Sequence, residues 1–240
     1  MSTSNFDLII FDCDGVLVDS EVISCRAHAE TLTRHGYPIT SDQVFDRFLG
    51  QSMRKATLEI EAELGRRLPD DFQAEVYAEI FRLFAASLQA TPHIDAALAA
   101  IAMPVCVASS GPPQKISASL NHVGLYDRFA PHIFSAVQVR NGKPAPDLFL
   151  LAAEQMRTSP ERCLVIEDSV AGITGALAAG MTVLGFHGGS HCRPGYGDRL
   201  RAAGAAATFD DMRQLPGLIG RVGDGLTRHS GAARRAEPGI

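Results

Sequence analysis

The chain has 240 residues, of which 46% are hydrophobic and 20% are charged, and its net charge is −5. This composition indicates a globular protein with a sizeable core and excludes disorder for most of the chain. An acidic chain with only three lysines also argues against a nucleic-acid surface. No apolar run is long enough to predict a membrane span.

The cysteines and the N-terminus predict where the protein is found. Five cysteines are widely spaced and form no CxxC pair, which favours reduced thiols over a disulfide framework. The N-terminus lacks a basic segment followed by a long apolar stretch. We therefore expect a cytoplasmic protein, and we expect a monomer with a dimer as the alternative.

Short apolar runs that end in polar residues recur along the chain, and they predict strands buried on both faces of a parallel sheet. These runs are Asp7–Asp12, Val105–Ser109, Cys163–Asp168 and Thr182–Phe186. Helical patterns lie between them, at Pro113–Val123, Asp147–Arg157 and Val170–Ala179. Gly180 is placed to end the last helix as a left-handed cap. The alternation predicts an α/β fold with a Rossmann-like, doubly wound parallel sheet as its core.

A helical insertion follows the first strand. The patterns Val22–His35, Met53–Leu64 and Phe72–Leu88 are amphipathic, and no convincing strand lies among them. We predict a core made of residues 1–19 and 91–221 and an inserted α-helical domain at 20–90. Residues 222–240 are rich in Gly, Arg and Ala without apolar periodicity, which predicts a flexible C-terminal tail.

Polar residues stand at the ends of the predicted strands: Asp12, Asp14, Ser109, Glu167 and Asp168. Because ligands of open α/β sheets bind at the carboxyl ends of the strands, we expect these side chains to converge. Clustered carboxylates repel one another unless a cation neutralises them, and oxygen ligands suit a hard ion. The cluster predicts a Mg²⁺ site.

Two further positions suit phosphate. Lys143 lies in the turn Asn141–Asp147 just before a helix, where one glycine and two prolines restrict the backbone. Ser109, followed by Ser110 and Gly111, can offer its hydroxyl and nearby backbone N–H groups to phosphate oxygens. Phosphoryl transfer needs such positive and donor groups beside the metal.

Together these residues resemble the four ordered motifs of the haloacid dehalogenase-like hydrolase superfamily. The motifs are Asp12-Cys-Asp-Gly-Val-Leu-Val-Asp-Ser-Glu21, Ser109, Lys143-Pro-Ala-Pro146 and Ile166-Glu-Asp-Ser-Val-Ala-Gly172. One DxDG alone would be weak, but four motifs in order are specific. The similar subgroup carries a helical cap after the first motif and includes sugar-phosphate phosphatases and β-phosphoglucomutase-like enzymes.

The resemblance implies roles for the motif residues. Asp12 would be the nucleophile that becomes an aspartyl phosphate, and Asp14 would be the general acid and base. Mg²⁺ would be held by the Asp12 carboxylate, the Asp14 backbone carbonyl and Asp168, with Glu167 nearby through water. The implied substrate is a small phosphorylated metabolite, with a sugar phosphate or sugar-acid phosphate as the best guess.

The cap would determine the choice of substrate. Its substrate-facing loop is predicted at Phe48–Arg54, where Gly50 permits close approach and Gln51 or Arg54 could meet a second polar group. Three possible metal ligands, His187, His191 and Cys192, lie in the segment Phe186–Arg193. For this segment we favour a loop at the rim of the active site over a transition-metal site.

Several alternatives stay open. Asp12, Asp14 and Asp168 could each be a simple turn or helix-cap acid, and Asp19 and Glu21 could serve as the cap and first turn of a helix. Retention of Asp14 argues against a dehalogenase, since dehalogenating relatives lack that acid. Ser24 stands where the mutases carry a His, so a hydrolase is favoured over a sugar phosphomutase. A non-catalytic phosphate-binding regulatory protein is the third alternative.

Overall fold

The computed structural model describes residues 5–48 and 53–223, without the side chains of Met53 and Arg54. Its strands are β1 (Leu8–Phe11), β2 (Val105–Ser109), β3 (Ile133–Ser135), β4 (Cys163–Glu167), β5 (Thr182–Phe186) and β6 (Ala207–Phe209). Its helices are α1 (Glu21–Arg34), α2 (Ser41–Phe48), α3 (Met53–Leu64), α4 (Phe72–Ser87), α5 (Ile94–Ala100), α6 (Pro113–His122), α7 (Tyr126–Phe129), α8 (Asp147–Gln155), α9 (Val170–Ala178) and α10 (Tyr196–Ala202).

The six strands form one parallel sheet in the order β3-β2-β1-β4-β5-β6. The central strand β1 pairs with β2 on one side and β4 on the other, so Ile10 lies beside both Cys106 and Val165. The predicted Rossmann-like α/β fold with a helical insertion is confirmed. Sequence patterns missed β3 and β6, which have three residues each and stand at the sheet edges.

Each face of the sheet has its own core. Ile9 and Phe11 point to a cluster that also contains Phe129 and continues into the inserted helices. Leu8 and Ile10 point to the other face, where Phe149 of α8 packs. This division follows from the alternation of side chains along a strand, and burial on both faces explains why β1 is apolar throughout.

Four helices, α1 to α4, lie between β1 and α5. The three helical patterns predicted here are present within a residue at each end, and α2 was missed because it has only eight residues. α1 packs against both α2 and α4. Phe48, Phe72 and Phe84 are buried, as expected of residues on the apolar faces of these helices.

Two predicted boundaries can be compared with the structure: the end of α9 at Gly180 and the start of the tail at residue 222. Gly180 follows α9 with φ of +78°, as predicted for a left-handed cap. Residues 215–223 are helical, Val222 packs on the main core, and Asn5 Nδ2 donates to the Gly223 carbonyl at 2.6 Å. The region predicted as a tail from residue 222 therefore starts inside a packed helix, and residues 224–240 lie outside the described part. Within 5–48 and 53–223, no helix has the length and apolar character needed to cross a membrane.

Candidate active site

Three buried carboxylates converge at the carboxyl end of the sheet. Asp12 follows β1, Glu167 ends β4 and Asp168 comes next. Each offers an oxygen, and these oxygens all lie within 4.8 Å of one another. Parallel pairing of β1 with β4 places them together, because it aligns the ends of the two strands.

Lys143 lies between two of these carboxylates. Its Nζ donates to Oδ1 of Asp12 at 2.9 Å and to Oε1 of Glu167 at 2.6 Å, and its side chain is only 4% exposed. Burial favours a lower pKa for Lys143, but the Asp12 and Glu167 carboxylates outweigh it and raise the pKa. The ammonium is therefore a permanent positive charge at the nucleophile proposed from the motif.

Glu167 is fixed on both of its oxygens. Besides Lys143 at Oε1, its Oε2 accepts from the backbone N–H and the hydroxyl of Ser169, at 2.8 and 2.9 Å. The Ser169 hydroxyl also accepts from the Gly172 N–H and so caps α9. A Cβ at Gly172 would overlap the Glu167 carboxylate. Glu167 thus positions Lys143 and leaves little freedom for a direct metal bond.

Asp14 has a separate environment. Its Oδ1 accepts from the Ser20 hydroxyl at 2.6 Å and from Lys115 Nζ at 2.7 Å. Burial acts to raise the pKa of Asp14, yet the charge of Lys115 and these two hydrogen bonds lower it overall. Sequence reasoning missed Lys115, which lies on α6 and is buried; its scarcity as one of three lysines was the one available signal.

Asp168 is held by His191. Nε2 of His191 lies 3.0 Å from Oδ2 of Asp168, and the imidazole is fully buried. Burial lowers the pKa of His191, but the hydrogen bond to Asp168 prevails and raises it to about 10. A Cβ at Gly15, whose φ is +76°, would overlap the Asp168 carboxylate. Sequence reasoning placed His191 in a rim loop but did not pair it with Asp168, since 23 positions separate the two residues.

The start of α1 differs from its expected cap. Ser20, not Asp19, is the N-cap residue, and its side chain bonds Asp14 instead of the helix. Asp19 Oδ1 accepts from the backbone N–H and hydroxyl of Ser190, at 3.0 and 2.8 Å. The Asp19 carboxylate ties the start of α1 to the loop after β5 because that loop supplies two donors.

Ser109 ends β2, and Ser110 follows it. Ser109 is buried, and its Oγ accepts from the Gly111 N–H at 3.1 Å. The Ser135 hydroxyl donates to the Gly111 carbonyl at 2.6 Å and braces this turn. Ser109 and Ser110 both line the cavity described next.

A cavity of about 410 Å³ extends from the carboxylates into the inserted helices. Its sheet end contains all the predicted catalytic residues, Asp12, Asp14, Ser109 and Lys143. Its far wall is formed by residues of α1 to α4. The predicted contacts Gly50 and Gln51, and the side chain of Arg54, lie outside the described residues.

The donor set suits Mg²⁺. The Asp12, Glu167 and Asp168 group is the one cluster of three or more potential ligands found among residues 5–48 and 53–223. All its donors are carboxylate oxygens, which a small hard cation prefers. The Asp14 carboxylate is not part of this group.

An acidic cluster with a buried lysine lies at the carboxyl end of the parallel sheet, as the motifs of the haloacid dehalogenase-like hydrolases imply. The family model for haloacid dehalogenase-like hydrolases matches residues 6–180. The chain belongs to this family and is an enzyme, as the motifs predicted.

Individual relatives are similar over most of their length. The chain is 35% identical over 216 residues to the 6-phosphogluconate phosphatase of Escherichia coli (strain K12), covering 90% of this chain and 95% of that protein. It is 31% identical over 184 residues to a phosphorylated carbohydrates phosphatase of Thermotoga maritima, covering 73% and 82% of the two chains. The structure of a haloacid dehalogenase-like protein of unknown function from Agrobacterium tumefaciens str. C58 is 40% identical, with a TM-score of 0.80 and coverage of 90% and 99%.

Proposed function

We propose that the protein is a Mg²⁺-dependent phosphatase that hydrolyses a small phosphate monoester, a sugar phosphate or sugar-acid phosphate, through an aspartyl phosphate on Asp12. The observation that carries this proposal is the buried Asp12, held by Lys143 at the sheet end of the cavity. The names of the similar phosphatases from Escherichia coli and Thermotoga maritima support the substrate class.

Asp12 is the proposed nucleophile. Lys143 holds its Oδ1, so Oδ2 is the oxygen available for attack on phosphorus. Burial raises the pKa of Asp12 well above its usual range, and Lys143 opposes this by favouring the carboxylate. As the Asp12 O–P bond forms, the bond from phosphorus to the substrate alcohol breaks. A covalent intermediate divides one difficult displacement into two easier ones.

Asp14 is the proposed acid and base. Its carboxyl proton passes to the departing alcohol oxygen, and the resulting carboxylate then takes a proton from the attacking water. That attack breaks the bond between Asp12 and phosphorus and releases inorganic phosphate. Asp14 enters this cycle with a lowered pKa, and the negative phosphate beside it acts in the opposite direction by favouring its protonated form.

Positive and donor groups complete the site. Lys143, Ser109 and the backbone of Ser110 would bind phosphoryl oxygens, and all three residues line the cavity. Mg²⁺ would be held by the carboxylates of Asp12 and Asp168 and the backbone carbonyl of Asp14, near Glu167. When bound it neutralises negative charge between the nucleophile and the phosphate.

The inserted helices are the proposed cap, with residues 20–90 as its extent. They form the wall of the cavity opposite the carboxylates, where the substrate's alcohol portion would lie. Gly50, Gln51 and Arg54 remain the proposed contacts of its loop. A cytoplasmic location and a monomeric state, with a dimer as the alternative, remain predictions.

The test is phosphate release from a panel of sugar and sugar-acid phosphates with Mg²⁺. The native protein should release phosphate. Asp12→Asn should lower the turnover rate by on the order of 1,000-fold or more, as expected for a missing nucleophile. Asp127→Asn, an exposed acid on α7, is the control and should retain native rates. Appreciable turnover by Asp12→Asn would remove Asp12 as the nucleophile.

A further inference from the structure

One face of α1 forms a wall of the cavity. Glu21, Ser24 and His28 are spaced by three and four residues, which places them on one side of a helix. All three line the cavity. Val22 and Arg26 lie on other faces of α1 and are exposed. The polar residues of this inner face are not used by the chemistry proposed above.

Ser24 points to a ligand. The residue is 8% exposed, and its Oγ has no hydrogen-bond partner in the described part of the chain. Buried hydroxyls are normally paired, because leaving one unpaired costs free energy. Since Ser24 also lines the cavity, a bound molecule can supply the missing partner.

His28 adds an acceptor. Its Nδ1 lies 2.8 Å from the Ser24 carbonyl oxygen, which can only accept, so Nδ1 carries the hydrogen. Burial lowers the pKa of His28 and keeps the ring neutral. Nε2 is then a free lone pair, and Glu21 contributes carboxylate oxygens nearer the catalytic end.

The three side chains thus offer mainly acceptors, which suit hydroxyl donors. Building on the phosphatase function proposed above, we propose that Glu21, Ser24 and His28 bind the hydroxyl groups of the substrate's leaving alcohol. We name them the α1 hydroxyl stripe. The substrate class is the phosphate ester of a polyhydroxylated carbon chain.

The α1 hydroxyl stripe also specifies the length of the substrate's carbon chain. Glu21 follows Ser20, whose hydroxyl donates to Asp14 Oδ1 at 2.6 Å, so Glu21 is the member of the stripe nearest the acid and base. His28 lies seven residues further along α1, roughly 10 Å along the helix axis. A five- or six-carbon chain extends along this stripe, whereas a three-carbon chain reaches only its first part.

The rest of the cavity complements the stripe. The other inserted helices line it mainly with apolar side chains, Val44, Phe48, Ile60, Phe72 and Ile80, and add two polar groups, Thr57 and Tyr77. Carbohydrate chains present hydroxyls on some sides and C–H groups on others. A cavity with a polar stripe and a mostly apolar remainder matches both.

The experiment compares four substrates with Mg²⁺: sorbitol 6-phosphate, 6-phosphogluconate, glycerol 3-phosphate and para-nitrophenyl phosphate. Ser24→Ala and His28→Phe should raise KM threefold to tenfold for both six-carbon substrates, because each removes a neutral hydrogen bond. His28→Phe should leave glycerol 3-phosphate within twofold of native, while Glu21→Gln should affect all three hydroxylated substrates. Ser24→Ala and His28→Phe should act on the aryl phosphate within twofold of native, and Arg26→Ala should match the native protein throughout.

Two outcomes overturn the stripe: an equal effect of Ser24→Ala and His28→Phe on sugar and aryl phosphates, or no effect on any substrate. Failure of the native protein to release phosphate from all four would instead contradict the proposed function. In that event, calorimetric binding of sorbitol 6-phosphate to the native protein and to Ser24→Ala still decides the stripe. Equal affinity, or no binding to either, refutes it.

Discussion

Lys143 is a buried positive charge that depends on two buried carboxylates. It separates the carboxylates of Asp12 and Glu167, and all three side chains are almost completely removed from water. A buried ion pair adds little when complete, but removing one partner leaves the other charge uncompensated. Without a metal ion, the stability of the site therefore depends on the Lys143 ammonium.

We expect Lys143→Met to reduce the free energy of unfolding by about 3–5 kcal/mol at pH 7 without metal. Its folded state should bind protons more tightly than its unfolded chain, because protonation of Asp12 relieves the repulsion. Stability then rises as pH falls, so the deficit should shrink between pH 7 and pH 5. Urea unfolding in EDTA at both values measures this.

Lys55→Met is the control for that measurement, since Lys55 is an exposed lysine on α3. It should change stability by less than about 1 kcal/mol at either pH. A Lys143→Met deficit that stays constant with pH would contradict the electrostatic explanation.

The helix α9 begins against the site. Gly172 lies in its first turn, and the absence of a side chain there makes room for the Glu167 carboxylate. Helix propensity favours alanine over glycine by about 1 kcal/mol. Local preference and the needs of the site are therefore opposed at this position.

Gly172→Ala should lower stability by about 1–3 kcal/mol despite its better helix propensity, because the new Cβ overlaps Glu167. Phosphatase activity should fall with it, since Glu167 positions Lys143. Gly220→Ala is the matched control: a Cβ there meets nothing within 4 Å in the helical residues 215–223. Thermal unfolding should show no loss for Gly220→Ala, and similar melting temperatures for the two variants would reject the overlap.

The loop that follows β5 and contains Arg193 connects the core with the inserted helices. Arg193 donates to Asp46 at 2.9 Å and pairs with Asp42 at 3.2 Å, and its guanidinium lies 4.8 Å from the centre of the Phe45 ring. All three partners belong to α2. The same loop supplies His191 to Asp168, so one segment contacts both the proposed metal site and the proposed cap.

Arg193→Ala should lower global stability by less than about 1 kcal/mol, as expected for exposed ion pairs. Amide hydrogen exchange in α2 should nevertheless become up to about fivefold faster, because the contact that holds α2 to the core is lost. Arg162→Ala removes an exposed pair with Asp7 in the core and should leave α2 unchanged. Unaltered exchange in α2 of Arg193→Ala would show that this contact does not hold the helix.

Sequence reasoning succeeded where the signal is local and continuous. Four apolar runs of five or six residues predicted the four central strands, and the polar residues at their ends, Asp12, Ser109 and Glu167, line one cavity as expected. The short edge strands β3 and β6 and the helix α2 carry too few residues for a periodic pattern.

Lys115 and His191 were not linked to their partners for a different reason. Lys115 was missed, and His191 was placed only in a rim loop, because the partners Asp14 and Asp168 stand 101 and 23 positions away in the chain. Nothing in the residues around a lone lysine or histidine identifies such a partner. Asp19 was expected to cap α1 because Asp often does so, but a tertiary contact with Ser190 took precedence.

The central position of β1 has a consequence for biosynthesis. Ile9 pairs with Val105 and Leu164, so the strand before the proposed nucleophile waits for partners that are translated much later. Such non-local pairing is slow to form, whereas the inserted helices have mostly local contacts and can fold first. A polypeptide released before residue 163 contains Asp12 but lacks Glu167 and Asp168. Truncated translation products should therefore have no phosphatase activity on the metabolites of the cell.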